Sequence, residues 1–255
     1  MRKLLFAIVF LFAFFAGFSI VGAKEKPEKR EIPEVDGVYD DPDFPGIKVR
    51  VLVHKEKPGK TSTGSLVCSL DPDSSTAVHW AGWKLPSTWV YNLNPSSVPT
   101  SVGGGNLETI AKNGFADWSA PTGVTFNPGS NTTINRQAYD LKNIIAWGRA
   151  QGSALAVTYI RYYSSTGLVV DVDTIMNLKY PWKWANSSTC ADSDAYDAEN
   201  ILTHEQGHWV GMNDEYNATS YQNATMYGYG SKGEVKKVTL TSGDVSGAAA
   251  IYLSP

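Results

Sequence analysis

The reading of this chain turns on HEQGHWVGMND, residues 204–214. On a helix, His204 and His208 stand four residues apart and project from one face, one turn above the other. Two imidazoles so placed reach a single zinc ion at about 2.0–2.1 Å. Glu205 sits beside them as a base for a polarised water without taking a ligand position. A catalytic zinc takes three protein ligands and keeps a fourth position open. Gly211 lets the chain leave the helix through a left-handed turn, and Asp214 follows with a hard oxygen ligand. Glu215 is a competing carboxylate next door, but the spacing favours Asp214. The chain has only four histidines and two fall in this register, so a chance match is the weaker explanation.

Outward from that stretch, Asp197 is an N-cap for a helix from Ala198 to about Val210. Upstream, IKVRVLVH (47–54) alternates apolar and polar residues as a strand does, and a short strand is expected through Leu66-Val67-Cys68. WVYNL (89–93) is a further strand stopped by Asn94-Pro95. Leu107, Ile110, Ala111, Phe115 and Trp118 recur at helical spacing, which predicts a helix over 106–119 with Asn106 as N-cap and Pro121 beyond its end. GVTF (123–126), NIIAW (143–147), LAVTYIRYY (155–163) and LVVDVDTIM (168–176) read as strands, the last two joined as a hairpin through SSTG (164–167). Strands first and helices late imply an α+β domain.

HExxHxxGxxD as carried by His204, Glu205, His208, Gly211 and Asp214 resembles the metzincin zinc-peptidase signature, in the form where aspartate replaces the third histidine. Ala224-Thr225-Met226-Tyr227 resembles the Met-turn of the matrixin-like branch, and the order of elements from residue 84 to 255 is similar to that of matrixin catalytic domains. The resemblance implies a twisted, mostly parallel sheet with an antiparallel edge strand, an active-site helix and a closing helix. Thr241 and Asp244 offer a capping box for that last helix. It further implies one catalytic zinc, peptide-bond hydrolysis with Glu205 as base, and a protein or peptide substrate. By the same resemblance, Leu155-Ala156 lies on an exposed edge against which an extended peptide pairs, and Tyr227 and Tyr229 lie in the wall of the pocket beyond the scissile bond. Asp171, Asp173, Asp192 and Asp194 are candidate calcium ligands. The histidines left over, His54 and His79, do not match the family's structural-zinc loop, so no structural zinc is expected and His79 reads as structural. A zinc-bearing binding domain without turnover is the rival reading, against which an intact Glu205 argues.

The rest of the chain sets the context. Residues 1–23 join a basic start, an apolar run and the small residues Val21-Gly22-Ala23, the pattern of a secretory signal peptide. Export makes pairing of the only two cysteines, Cys68 and Cys190, the expected state. Residues 24–46 are charged and proline-bearing, too poor in apolar surface to order themselves, and read as a propeptide or linker. Residues 47–83 form an N-terminal strand extension ahead of the catalytic domain at 84–255. Residues 24–67 hold no cysteine to hold a zinc latent, and Asp36, Asp40, Asp41 and Asp43 read as an acidic linker rather than a block. A net charge of -3 gives no reason to expect nucleic acid as a partner. No membrane partner is expected after signal cleavage, and the chain reads as a secreted monomer.

Overall fold

The computed structural model describes residues 31–58, 73–186 and 192–253. Its strands are β1 (Gly37–Asp40), β2 (Ile47–Glu56), β3 (Thr88–Leu93), β4 (Thr125–Pro128), β5 (Ile144–Gly148), β6 (Ala154–Tyr163), β7 (Val169–Asn177), β8 (Trp182–Lys183), β9 (Tyr196–Asp197) and β10 (Tyr229–Gly230). Its helices are α1 (Leu107–Thr122), α2 (Ala198–Trp209), α3 (Ala218–Tyr221) and α4 (Ser242–Tyr252). The main sheet runs in the order β1-β2-β6-β7-β5-β3-β4, with β10 added to β2, while β8 and β9 pair apart. Strands β7, β5, β3 and β4 are parallel, and β6 lies antiparallel to β7. This is the α+β arrangement expected from the sequence.

Burial explains the layering. The helices pack against one face of the sheet, where Leu107, Ile110, Phe115 and Trp118 of α1 meet Ile201, Leu202 and Trp209 of α2. A smaller cluster of Val49, Val51, Val157, Tyr159 and Ile175 closes the other face. The period-two pattern of β2 divides between the two: Val49, Val51 and Val53 face the small cluster, and Leu52 joins the helix side.

The structure sharpens three expectations. Among the described residues of the stretch 24–46, β1 is ordered and pairs antiparallel with β2, Gly37 opposite Val51 and Asp40 opposite Lys48. Few apolar groups are needed when main-chain bonds and an Arg50–Asp36 contact of 2.5 Å secure the strand instead. Of the strand extension expected at 47–83, β2 lies inside the sheet, between β1 and β6. Finally, α1 carries Pro121 within its last turn and ends at Gly123, whose φ of 69° is the left-handed closure glycine favours. Asn106 makes no capping bond there; its amide donates to Val102 O at 2.6 Å. Asp197 and the Thr241–Asp244 capping box do cap α2 and α4. The signal segment, the strand at 66–68 and the Cys68–Cys190 pair lie outside the described residues.

Gly207 shows how tightly α2 is seated. A Cβ on it would fall 2.2 Å from Met226 Sδ and 2.6 Å from the Trp118 ring. Gly207→Ala should therefore destabilise the domain by about 1–3 kcal/mol through overpacking. Thermal unfolding measures this, and an unchanged melting temperature would contradict the packing described.

Candidate metal centre

Every residue of α2 from Ala198 to Trp209 is buried, the polar ones included. Burying a polar side chain is costly unless it finds a hydrogen bond, and here the partners aim the ligands. His204 Nδ1 lies 2.7 Å from Thr225 O, and His208 Nδ1 lies 2.9 Å from Met212 O. Each Nδ1 therefore carries the proton, and the Nε2 lone pairs are left free, since the carbonyl on the far nitrogen fixes both tautomer and ring orientation.

The chain then turns at Gly211 with φ of 91°. A side chain there would meet Trp83 O at 2.2 Å, so glycine is required for close approach as well as for conformation. Trp83 pins the turn by donating its indole N–H to His208 O at 2.8 Å. The turn brings Asp214 Oδ1 to 3.1 Å from His204 Nε2 and 3.6 Å from His208 Nε2. Those three atoms are fully buried and have no hydrogen-bond partner, and the three residues form a cluster able to hold a metal ion. Asp214 Oδ2 accepts from Tyr216 at 3.3 Å.

The competing carboxylate goes elsewhere. Glu215 Oε1 accepts from the His79 backbone N–H at 2.9 Å and lies 2.6 Å from His79 Nδ1. Its main chain bridges to the turn at 224–227, with Glu215 N donating to Met226 O at 2.9 Å. Met226 is fully buried against Gly207 of α2. Asp244 of α4 accepts from Thr225 N and Met226 N at 2.9 and 3.2 Å, tying the closing helix to that turn.

The electrostatics suit a cation. Burial and the nearby Lys237 charge hold His204 neutral, with its pKa down at about 3, and burial lowers that of His208 too. Two neutral imidazoles beside one carboxylate, each with an unshared donor atom, match what zinc requires.

Glu205 is also fully buried, and burial pushes its pKa up to about 8 against the Thr158 hydrogen bond. Thr158 Oγ1 donates to Oε2 at 2.6 Å and lies 2.7 Å from Thr174 Oγ1, which in turn accepts from Trp209 Nε1 at 2.9 Å. Glu205 Oε1 lies 3.0 Å from His54 Nδ1, and the His54 and His204 rings are 3.9 Å apart. Lys237 is buried too, with Nζ at 2.5 Å from Tyr227 O, 3.0 Å from Tyr229 O and 3.1 Å from His54 Nε2. Burial brings its pKa down to about 8.

The sequence alone points to neither Thr158 nor Lys237 and gives His54 no role at the centre. Thr158 had a signal, because alternation in β6 puts it on the same face as Ala156; Lys237 had none. The Tyr229 ring is 5.6 Å from that of Tyr227 and 5.2 Å from that of Tyr216. Leu155 and Ala156 require a correction: they are fully buried, and the side of β6 expected to be open is covered by β2, with Ala156 opposite His54.

The aspartates suggested for calcium form no metal cluster among the described residues. Asp171 Oδ1 takes Arg161 Nη1 at 3.0 Å and its Oδ2 takes the Leu141 amide at 2.8 Å. Asp173 takes the amides of Ala138 and Ile144 at 2.9 and 3.1 Å. Asp192 lies 3.8 Å from Lys183.

A family model, matrixin, matches residues 82–253. The chain belongs to the matrixin family. A search of curated proteins found no match. The matched span takes in α1, the sheet from β3 to β7, α2 and the turn at Met226, but excludes β1 and β2. Membership makes this matrixin domain one of a family of zinc peptidases acting on proteins.

The two neighbouring acids separate by experiment. Asp214→Ala should weaken zinc binding by at least about tenfold to a hundredfold, the range seen even for residues one shell out from a metal. Glu215→Ala should leave zinc stoichiometry unchanged. Zinc titration of both variants decides between them, and the reverse ranking would move the third ligand to Glu215.

Proposed function

We propose that this matrixin is a secreted zinc endopeptidase in which His204, His208 and Asp214 hold the metal and Glu205 is the general base. The observation that carries the reading is the convergence of three buried, unpartnered donor atoms beside a buried carboxylate. Zinc held by these three residues would supply Lewis acidity, acidifying water and polarising a carbonyl.

The rest is the work of the chain. Glu205 takes the proton of the attacking water at a carboxylate oxygen and returns it to the leaving amine. Its raised pKa suits that exchange, since a base that binds its proton near neutrality also releases it there. Thr158 fixes one oxygen of Glu205 by hydrogen bonding; the other, against which His54 lies, is the one that serves the transfer once the imidazole is away. The Lys237 charge lies close to Glu205 and Asp214, and its ammonium braces the Tyr227 and Tyr229 carbonyls. Tyr227 and Tyr229 belong to the wall beyond the scissile bond, and Met226 shapes the floor under the metal. Secretion rests on the signal-like residues 1–23; among the described residues no helix is long and apolar enough to cross a membrane.

Glu205→Ala should keep stoichiometric zinc and slow hydrolysis of a quenched-fluorescent peptide by about a hundredfold or more, the usual worth of a positioned base. The comparison is made in the full-length chain and on a His54→Ala background, so that the imidazole against Glu205 does not mask turnover. A chelator should abolish the activity and added zinc restore it. Undiminished hydrolysis in Glu205→Ala would refute the assignment. Zinc without hydrolysis in any background would favour the non-catalytic binding domain.

A further inference from the structure

Strand β2 is gripped on both sides at the metal centre. One side runs antiparallel along β6, Val53 opposite Val157 and His54 opposite Ala156. The other runs parallel along β10, Lys55 opposite Tyr229 and Glu56 opposite Gly230. Lys55 N donates to Gly228 O at 3.4 Å and Lys57 N to Gly230 O at 2.9 Å. An extended segment held through its main chain between a sheet edge and a facing wall is how a peptide sits when bound by strand addition.

The register of β2 on β6 shifts between His54 and Lys55. Such bulges re-aim side chains next to active sites, and the His54 ring enters the centre with no exposed surface. Lys237 has only protons to offer, so His54 Nε2 accepts from it and Nδ1 carries the hydrogen given to Glu205 Oε1. With Thr158 on Oε2, both oxygens of Glu205 are engaged. His204, Glu205 and His208 have no exposed surface, and Asp214 is 6% exposed. A polypeptide does not reach a centre closed in this way. The occupant is anchored at a distance as well, where Asp41, just past β1, faces Arg161 of β6 at 3.4 Å.

We propose that residues 47–57 are a built-in occupant of the peptide groove and that this arrangement is a latent form, with His54 as the stop on Glu205. The groove, once vacated, takes an extended peptide read mainly through its backbone, antiparallel to β6, with the residue that replaces His54 lying against Glu205. This rests on the peptidase reading for what the open groove does, though not for what fills it now.

The test uses the full-length chain, wild type against His54→Ala and His54→Pro. The first removes the ring; the second also removes an amide from mid-strand, where proline is disfavoured. The binding probe is a fluorescein-labelled synthetic peptide of sequence IKVRVLVHKEK, measured by anisotropy on a Glu205→Gln background so that nothing is cleaved. His54→Pro should bind the probe at least tenfold more tightly than wild type, with a smaller gain for His54→Ala. With Glu205 intact, zinc-loaded His54 variants should hydrolyse a quenched peptide faster in the same order. Should His54→Pro fail to fold by circular dichroism, His54→Ala decides. Equal probe affinity in wild type and variant, or wild-type hydrolysis as fast as the variant's, overturns the proposal. Tighter probe binding with no hydrolysis keeps it and removes the peptidase reading.

Discussion

The structure depends on satisfying a buried polar helix. A buried helix surface is ordinarily apolar, yet α2 carries Glu199, Asn200, Thr203, His204, Glu205, Gln206 and His208 into the interior. Each demands a partner, all but the Thr203 hydroxyl find at least one, and the partners come from several other parts of the domain. Trp118 of α1 donates to Thr203 O, and Gln206 donates to Ala111 O. Asn200 accepts from the Lys237 backbone, and Asn113 and Trp184 donate to Glu199. The two histidines complete the set through Thr225 O and Met212 O. Bonds that offset the burial cost of these groups also fix where the imidazoles point, so stability and ligand geometry come from one network.

What the sequence disclosed follows from how local each signal is. The α2 cap, the i to i+4 histidines, the turn at Gly211 and the approach of Asp214 all lie within a span from Asp197 to Asp214, and spacing alone carries them. The strands from β3 to β7 were legible through alternation and turn residues, to within a residue or two at their ends. Pro121 misled because a proline argues against continuing a helix, whereas Gly123 closes α1 one residue after Thr122 and tolerates proline in the final turn.

Long-range partnerships were not legible. Nothing in IKVRVLVH says which strand it pairs with, and a strand pattern at 47–54 fits an appendage as well as an interior position. Its placement between β6 and β10 is what carries His54 across 151 residues of sequence to Glu205. Lys237 was hidden for the same reason. A lysine in a polar loop ordinarily reads as solvated, and only the fold shows its ammonium enclosed by two carbonyls and an imidazole.

Arg161 has a consequence of another kind. Its guanidinium lies within 3.6 Å of both Asp171 and Asp173, and backbone amides from 138, 141 and 144 fill the remaining oxygens. Here the countercharge to two inward acids is covalently part of the protein rather than borrowed from dissolved salts. Asp171 and Asp173 therefore need no dissolved cation to neutralise them, and this corner of the sheet answers to different features of the environment than the cluster at His204, His208 and Asp214.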